Sequence, residues 1–182
     1  MAGSRTSSAL VLLAGLCLSP LALGAQRLVP EGTASDSLWD FMDGTWNITL
    51  SRPGAPLLAK GRWTSRRVVP HKLVEDEYRI FDDSGGTEYL GMTYRVYNNT
   101  TRVWDIRFTN VNAGAWNEAV AWKDGNEIHL YQRLSSTGVG GRLMKVRYYD
   151  IGDKSFKWHT DFSSDEGKTW VPGFDITAER AH

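Results

Sequence analysis

Two side chains in neighbouring predicted strands have the types and spacing for proton transfer. Glu118 alternates with Trp116, Val120 and Trp122, so an extended backbone would set its carboxylate among large apolar groups. Desolvation there would raise the pKa of Glu118 and make it a general acid or base. His129, on the next predicted strand, is the second candidate for proton transfer to a bound organic molecule. The competing interpretation is that both are exposed or ion-paired strand residues.

The remaining histidines suggest little metal chemistry. His159 lies in the run Phe156–Phe162, where it alternates with charged residues rather than with the aromatic ones, and this favours a solvent-facing imidazole. His71, His129 and His159 lie on three separate predicted strands with no short ligand spacing between them. The sequence therefore predicts no metal site.

Aromatic residues are abundant, and they suggest a ligand cavity. The chain has 8 Trp, 7 Tyr and 6 Phe, and binding pockets are commonly walled by such rings with a few polar groups. The alternative interpretation is that the rings simply fill a core. The candidate wall residues are Trp46, Trp63, Tyr94, Trp104, Trp116, Trp122 and Trp158.

These side chains need a scaffold of strands. From Gly44 onward, ten runs of alternating residues are separated by turn sequences, among them Pro53-Gly54, Asn98-Asn99 and Asp124-Gly125. Only Leu38–Met42 reads as a short helix, ended by Gly44. The pattern predicts an all-β, antiparallel up-and-down barrel of about ten strands, because closure removes both edges of the sheet. An open sandwich is the alternative.

The last hairpin carries the sharpest motif. Its turn matches Ser-x-Asp-x-Gly-x-Thr-Trp from Ser163 to Trp170. This resembles the Asp-box, in which the aspartate accepts backbone N–H bonds, the glycine takes a positive φ and the tryptophan packs under the turn. The motif predicts a hairpin and indicates no reaction.

Combined with the run Phe41–Trp46, which resembles the Gly-x-Trp entry to the first strand of lipocalins, the hairpin gives a family resemblance. The chain from Trp39 to Arg180 is similar to exported bacterial domains of unknown function related to lipocalin-like and nitrobindin-like barrels. The resemblance implies a barrel with an internal cavity. It also implies one cofactor possibility, haem bound through His159, because nitrobindin-like barrels use a histidine on a strand near the C-terminus.

The N-terminus predicts export. Ala9–Leu23 is an apolar run with Arg5 before it and small residues near Gly24, which is typical of a cleaved signal peptide over residues 1–25. The lone cysteine, Cys17, lies inside that segment. We therefore expect one β-barrel domain over residues 26–182, without disulfides and in the periplasm or secreted.

Charge and hydropathy limit the classes of binding partner that the sequence suggests. Lys plus Arg and Asp plus Glu are 21 each, and the longest basic stretch is Arg66-Arg67, which argues against nucleic acid. No apolar run after the signal peptide is long enough to span a membrane as a helix.

The leading hypothesis is a barrel that binds a small, mostly apolar or aromatic molecule. The alternatives are an enzyme that uses Glu118 or His129, a haem barrel, and an interaction module with a packed interior. The sequence leaves the oligomeric state open.

Overall fold

Ten antiparallel strands follow one another along the chain and close on themselves, because β1 pairs with β10. The structure is a computed structural model that describes residues 29–134 and 142–182. The predicted signal peptide and residues 135–141 lie outside the described residues. The strands are β1 Gly44–Ser51, β2 Leu57–Val69, β3 Leu73–Phe81, β4 Thr87–Asn98, β5 Val103–Asn110, β6 Ala115–Asp124, β7 Glu127–Arg133, β8 Leu143–Tyr149, β9 Ser155–Ser163 and β10 Val171–Arg180.

This architecture confirms the predicted closed barrel of ten strands and excludes the open sandwich. The helix expected over Leu38–Met42 is only a 3-10 turn, η1, at Asp40–Met42. Its shortness follows from the Asp43-Gly44 sequence, where Gly44 takes φ 118° and starts the first strand. Within the described residues, no helix is long and apolar enough to cross a membrane.

Alternation along each strand separates the inside of the barrel from its outer wall. In β2, Gly61, Trp63 and Ser65 are buried, whereas Arg62 and Thr64 between them are exposed. Strand pairing keeps inward residues next to inward residues around the barrel, since Trp63 lies opposite Trp46 on β1 and Tyr78 on β3. Residues with the same phase therefore share the interior.

The N-terminal segment and η1 close one end, which we call the closed end. Three interior ring groups are tied to backbone carbonyls of this segment: Trp46 Nε1 donates to Met42 O at 2.8 Å, Trp104 Nε1 to Ser35 O at 2.9 Å, and the Tyr97 hydroxyl to Ala34 O at 3.1 Å. These bonds satisfy ring donors that burial would otherwise leave unpaired. We call the opposite end, where β1 leads into β2, the open end, because the described residues do not cover it; residues 135–141, which connect β7 to β8, are not among them.

The turn between β9 and β10 shows the contacts expected of its residues. Asp165 accepts a bond from the Thr169 backbone N–H at 2.9 Å and another from the Thr169 hydroxyl at 2.7 Å. Gly167 has φ 85° and accepts a bond from Trp170 Nε1 at 3.0 Å. The hairpin is thus fixed by its own side chains, and membership of the Asp-box class stays a prediction.

Candidate functional site

The burial of the described residues indicates a recess in the open half of the barrel. Several large side chains point inward there, yet they are only partly buried, unlike most inward aromatic residues of the closed half. Because the strand phase fixes their direction, their exposed surface lies inside the barrel. We call this space the open-end recess; its main lining residues are Tyr78, Tyr89, Phe108, Met144, Trp158 and Phe162.

The closed half is packed. Trp46, Trp104 and Phe156 are at most 1% exposed, and Trp39 and Met42 of the N-terminal segment fill the remaining space. Phe156 contacts Trp46 with ring centroids 4.9 Å apart in an edge-to-face arrangement. A ligand inside the barrel would consequently be confined to the open half.

A buried ion pair lies beneath the recess. Asp76 and Arg95 are 1% and 2% exposed, and both guanidinium NH groups of Arg95 donate to the Asp76 carboxylate, one of them at 3.2 Å. Trp63 Nε1 also donates to this carboxylate, at 2.5 Å. The guanidinium lies over the Trp39 ring at 4.5 Å from its centroid. Each charge is thereby neutralised and held in a fixed geometry.

Electrostatics keep the tyrosines of the interior in their neutral form. Burial raises the pKa of Tyr78, with additional repulsion from Tyr89 and Tyr148. Burial also raises the pKa of Tyr89, to about 12. Burial lowers the pKa of Arg95, and the Tyr148 hydroxyl beside it opposes that change. At neutral pH the recess therefore presents phenol groups, which donate hydrogen bonds, and no phenolate.

The expected burial of Glu118 was wrong. Its side chain is 62% exposed on the outer wall, where it pairs with Arg107 at 2.5 Å. The register explains the error: Ala119 and Ala121 of β6 point inward opposite Ile106 and Trp104. The large side chains of β6 are therefore the outward ones, and the desolvation required for proton transfer is missing.

His129, considered for proton transfer, and His159, considered for haem binding, also lie on the outer wall. His129 Nε2 is 3.2 Å from a carboxylate oxygen of Glu127. His159 has Asp175 at 2.7 Å from Nδ1 and Asp161 at 3.2 Å from Nε2, so both ring nitrogens face carboxylates. Neither imidazole faces the interior, although the His159 side chain is only 19% exposed. Haem binding inside the barrel through this residue has no support in the geometry.

The seven predicted wall residues divide between the two faces. Trp46, Trp63, Trp104 and Trp158 point inward, and only Trp158 borders the recess with a partly exposed side chain. Tyr94, Trp116 and Trp122 point outward, because the opposite faces of β4 and β6 from those expected line the interior. Trp116 is 53% exposed. Trp122 is buried against Val103 and Val120 under the N-terminal segment.

Sequence reasoning missed the polar residues of the interior. Asp76 alternates with Val74, Tyr78 and Ile80, and this pattern already indicated an inward carboxylate. Arg95 gave a weaker signal, since β4 carries bulky residues on both faces. The available signal was that two paired strands each carry a charged residue, and that the charged residue of β3 falls among its apolar, alternating positions.

Other concave features lie outside the barrel. A groove of about 520 Å³ runs between the N-terminal segment and the β6–β7 and β8–β9 turns, and another of about 380 Å³ lies on the wall of β1, β2 and β10. Lys123, Asn126 and Asp150 give the first a largely polar lining. In residues 29–134 and 142–182, no group of three or more His, Cys, Asp or Glu side chains is arranged to hold a metal ion. We favour the recess because convergent aromatic rings line it.

The fold and the recess define a class of architecture: a closed ten-stranded antiparallel barrel, packed at one end and concave at the other. Among solved structures, the chain is similar to the S-type phycobiliprotein lyase CPES from Guillardia theta, with 13% identity, a TM-score of 0.54, and coverage of 81% of this chain and 92% of that one. It is also similar to a redesigned β-barrel, mFAP0, bound to DFHBI, with 10% identity, a TM-score of 0.43, and coverage of 77% and 99%.

No protein-family model matches the sequence, and comparison with curated proteins finds no relative. The likeness to the lyase shows a shared fold.

Proposed function

We propose that this barrel binds a small, mostly apolar ligand in the open-end recess. The observation that carries the proposal is the contrast between the two halves of the interior. Inward aromatic side chains of the open half keep exposed surface, whereas those of the closed half are packed, with the partly buried Tyr97 as the exception. Exposed rings that converge in a concave space are stabilised by an apolar ligand that removes them from water.

The recess favours apolar molecules over ions. Inward positions of the strands in the open half carry apolar, aromatic or neutral polar residues, such as Ile80, Phe108 and Asn117, and none carries a charge. The nearest interior charges, Asp76 and Arg95, already neutralise each other. Arg52, next to the end of β1, lies over the Phe174 ring. An ion deeper in the recess than this residue would lose hydration without gaining a partner on the inward strand positions.

The proposal distinguishes a binder from the enzyme considered above. An enzyme acting in this space through Glu118 or His129 would need these groups inside, and both lie on the outer wall. The likeness to a phycobiliprotein lyase adds support for the fold and none for a reaction.

Filling the recess tests the proposal. Ala59 points inward at the open end opposite Leu50, and Lys60 next to it points outward. We expect N-phenyl-1-naphthylamine, a neutral fluorescent probe, to bind saturably to the unmodified protein. Ala59→Trp should weaken this binding at least about tenfold by occupying the space. Lys60→Trp, the matched control, should leave it unchanged. Equal effects of the two variants, or no saturable binding, would refute the proposal.

A further inference from the structure

Two neighbouring tyrosines line the open-end recess. Tyr78 on β3 and Tyr89 on β4 point inward, and their rings meet edge to face with centroids 5.8 Å apart. Trp63 lies on the other side of Tyr78, with ring centroids 5.3 Å apart. Packing against these rings limits the directions in which the two phenol groups can point.

Neither phenol hydroxyl is used by the protein. Among the described residues, no side-chain hydrogen bond is formed by Tyr78 or Tyr89, although both residues are only partly buried. Three other ring donors of the interior are satisfied, since Trp46, Trp63 and Tyr97 each donate to a protein oxygen. Trp39 Nε1 is buried without a partner among the described residues, in the packed half where no ligand can reach it. Two unused donors in a largely apolar recess are available to a ligand.

We infer that Tyr78 and Tyr89 donate hydrogen bonds to a carbonyl oxygen of the ligand, so the recess selects uncharged aromatic carbonyl compounds. This inference rests on the proposed binding function. A carbonyl oxygen has two lone pairs and accepts two donors, which matches a pair of neighbouring phenols. Aromatic walls, Phe108 among them, suit the flat body of such a molecule.

The charge state of the recess agrees with this ligand class. Both hydroxyls stay protonated at neutral pH, because burial raises the pKa of Tyr78 and of Tyr89. Inward strand positions of the open half carry no cation that would neutralise a carboxylate. A carbonyl accepts from neutral donors without bringing a charge into the apolar space.

A matched pair of ligands tests the inference: 2-acetylnaphthalene, which has the carbonyl, and 2-isopropenylnaphthalene, in which a methylene group replaces the carbonyl oxygen and the shape is nearly the same. Tyr78→Phe and Tyr89→Phe remove one donor each and keep the ring. We expect each variant to raise the Kd of the ketone about fivefold to tenfold and to change that of the hydrocarbon by less than about twofold. Tyr97→Phe is the control, because the Tyr97 hydroxyl donates to Ala34 O at the closed end.

The carbonyl stretching band of the bound ketone gives a readout that does not depend on affinity. Hydrogen bonding lowers this frequency, so both recess variants should raise it and Tyr97→Phe should leave it unchanged. 2-Naphthoate should bind at least about tenfold more weakly than the ketone.

Failure of the carbonyl inference and failure of the proposed binding function give different results. Unchanged ketone affinity and frequency in both recess variants, or tighter binding of naphthoate, would overturn the inference and leave the binding function standing. Equal loss of ketone and hydrocarbon affinity would also overturn it, since the tyrosines would then act by shape. Binding of neither ligand to the unmodified protein would refute both proposals.

Discussion

The ion pair of Asp76 and Arg95 sets the polarity of the barrel interior. Its carboxylate also accepts a bond from Trp63 Nε1, and its guanidinium lies against the ring of Trp39. One polar pair therefore orients side chains from β2, β3, β4 and the N-terminal segment. We consider its role to be the positioning of rings beneath the recess.

Removal of one partner should cost much stability. In Arg95→Met the Asp76 carboxylate stays buried without its cation, and we expect the free energy of unfolding to fall by about 3–5 kcal/mol. The matched control is Arg107→Met, which breaks the exposed pair with Glu118 and should cost less than about 1 kcal/mol. Urea denaturation measures both. Similar costs for the two variants would contradict the assigned burial of the pair.

The β9–β10 turn should be sensitive to acid. Bonds from the backbone N–H and the hydroxyl of Thr169, then from Ser163, lower the pKa of Asp165 to about 2. The unfolded value is about 3.9, so these bonds contribute stability that is fully present above that pH and is lost as the pH falls through about 2. NMR titration of the Asp165 carboxyl carbon should show a midpoint near pH 2. A midpoint near pH 4 would contradict the bonded turn.

At the scale of the strands, close approach between β2 and β3 depends on a glycine. A Cβ on Gly61 would lie 2.0 Å from the carbonyl oxygen of Arg79 on β3, and the backbone there cannot yield without disturbing the pairing. Gly61 also faces inward, between Ala59 and Trp63, where the recess meets the packed half.

Gly61→Ala should therefore destabilise the barrel by about 1–3 kcal/mol or more, as overpacking does in other interiors. The matched control is Gly152→Ala, since Gly152 lies in an exposed turn with its nearest neighbour atom 3.7 Å from the added Cβ. That change should stay within about 0.5 kcal/mol. Thermal unfolding of the two variants provides the comparison, and an equal shift in both would argue against the close contact.

The strands were predictable because alternation and turn chemistry are local. The ten runs from Gly44 to Arg180 match the strands of the structure, and the Ser163–Trp170 turn has the contacts expected of its residues. The size of the side chains did not predict which face of β6 points inward, because the small residues Ala119 and Ala121 face the interior. The N-terminal segment covers Trp122 on the outer wall, so an outward tryptophan became buried.

At the scale of the whole molecule, the barrel combines a packed half with a concave half. The N-terminal segment and η1 seal one end through bonds to Trp46 and Trp104. Buried side chains are thus concentrated at the closed end, and inward side chains of the open end keep exposed surface. The location of this recess required the register of all ten strands, which no single stretch of sequence supplies.

The most direct test of binding in the recess is to observe the tryptophan indole N–H signals by NMR during titration with 2-acetylnaphthalene. Trp158 borders the recess, Trp46 and Trp104 lie in the packed half, and Trp116 is on the outer wall. We predict a saturable shift of the Trp158 signal that clearly exceeds those of the other three. A dominant shift of Trp116, or no saturable shift of Trp158, would contradict binding inside the barrel.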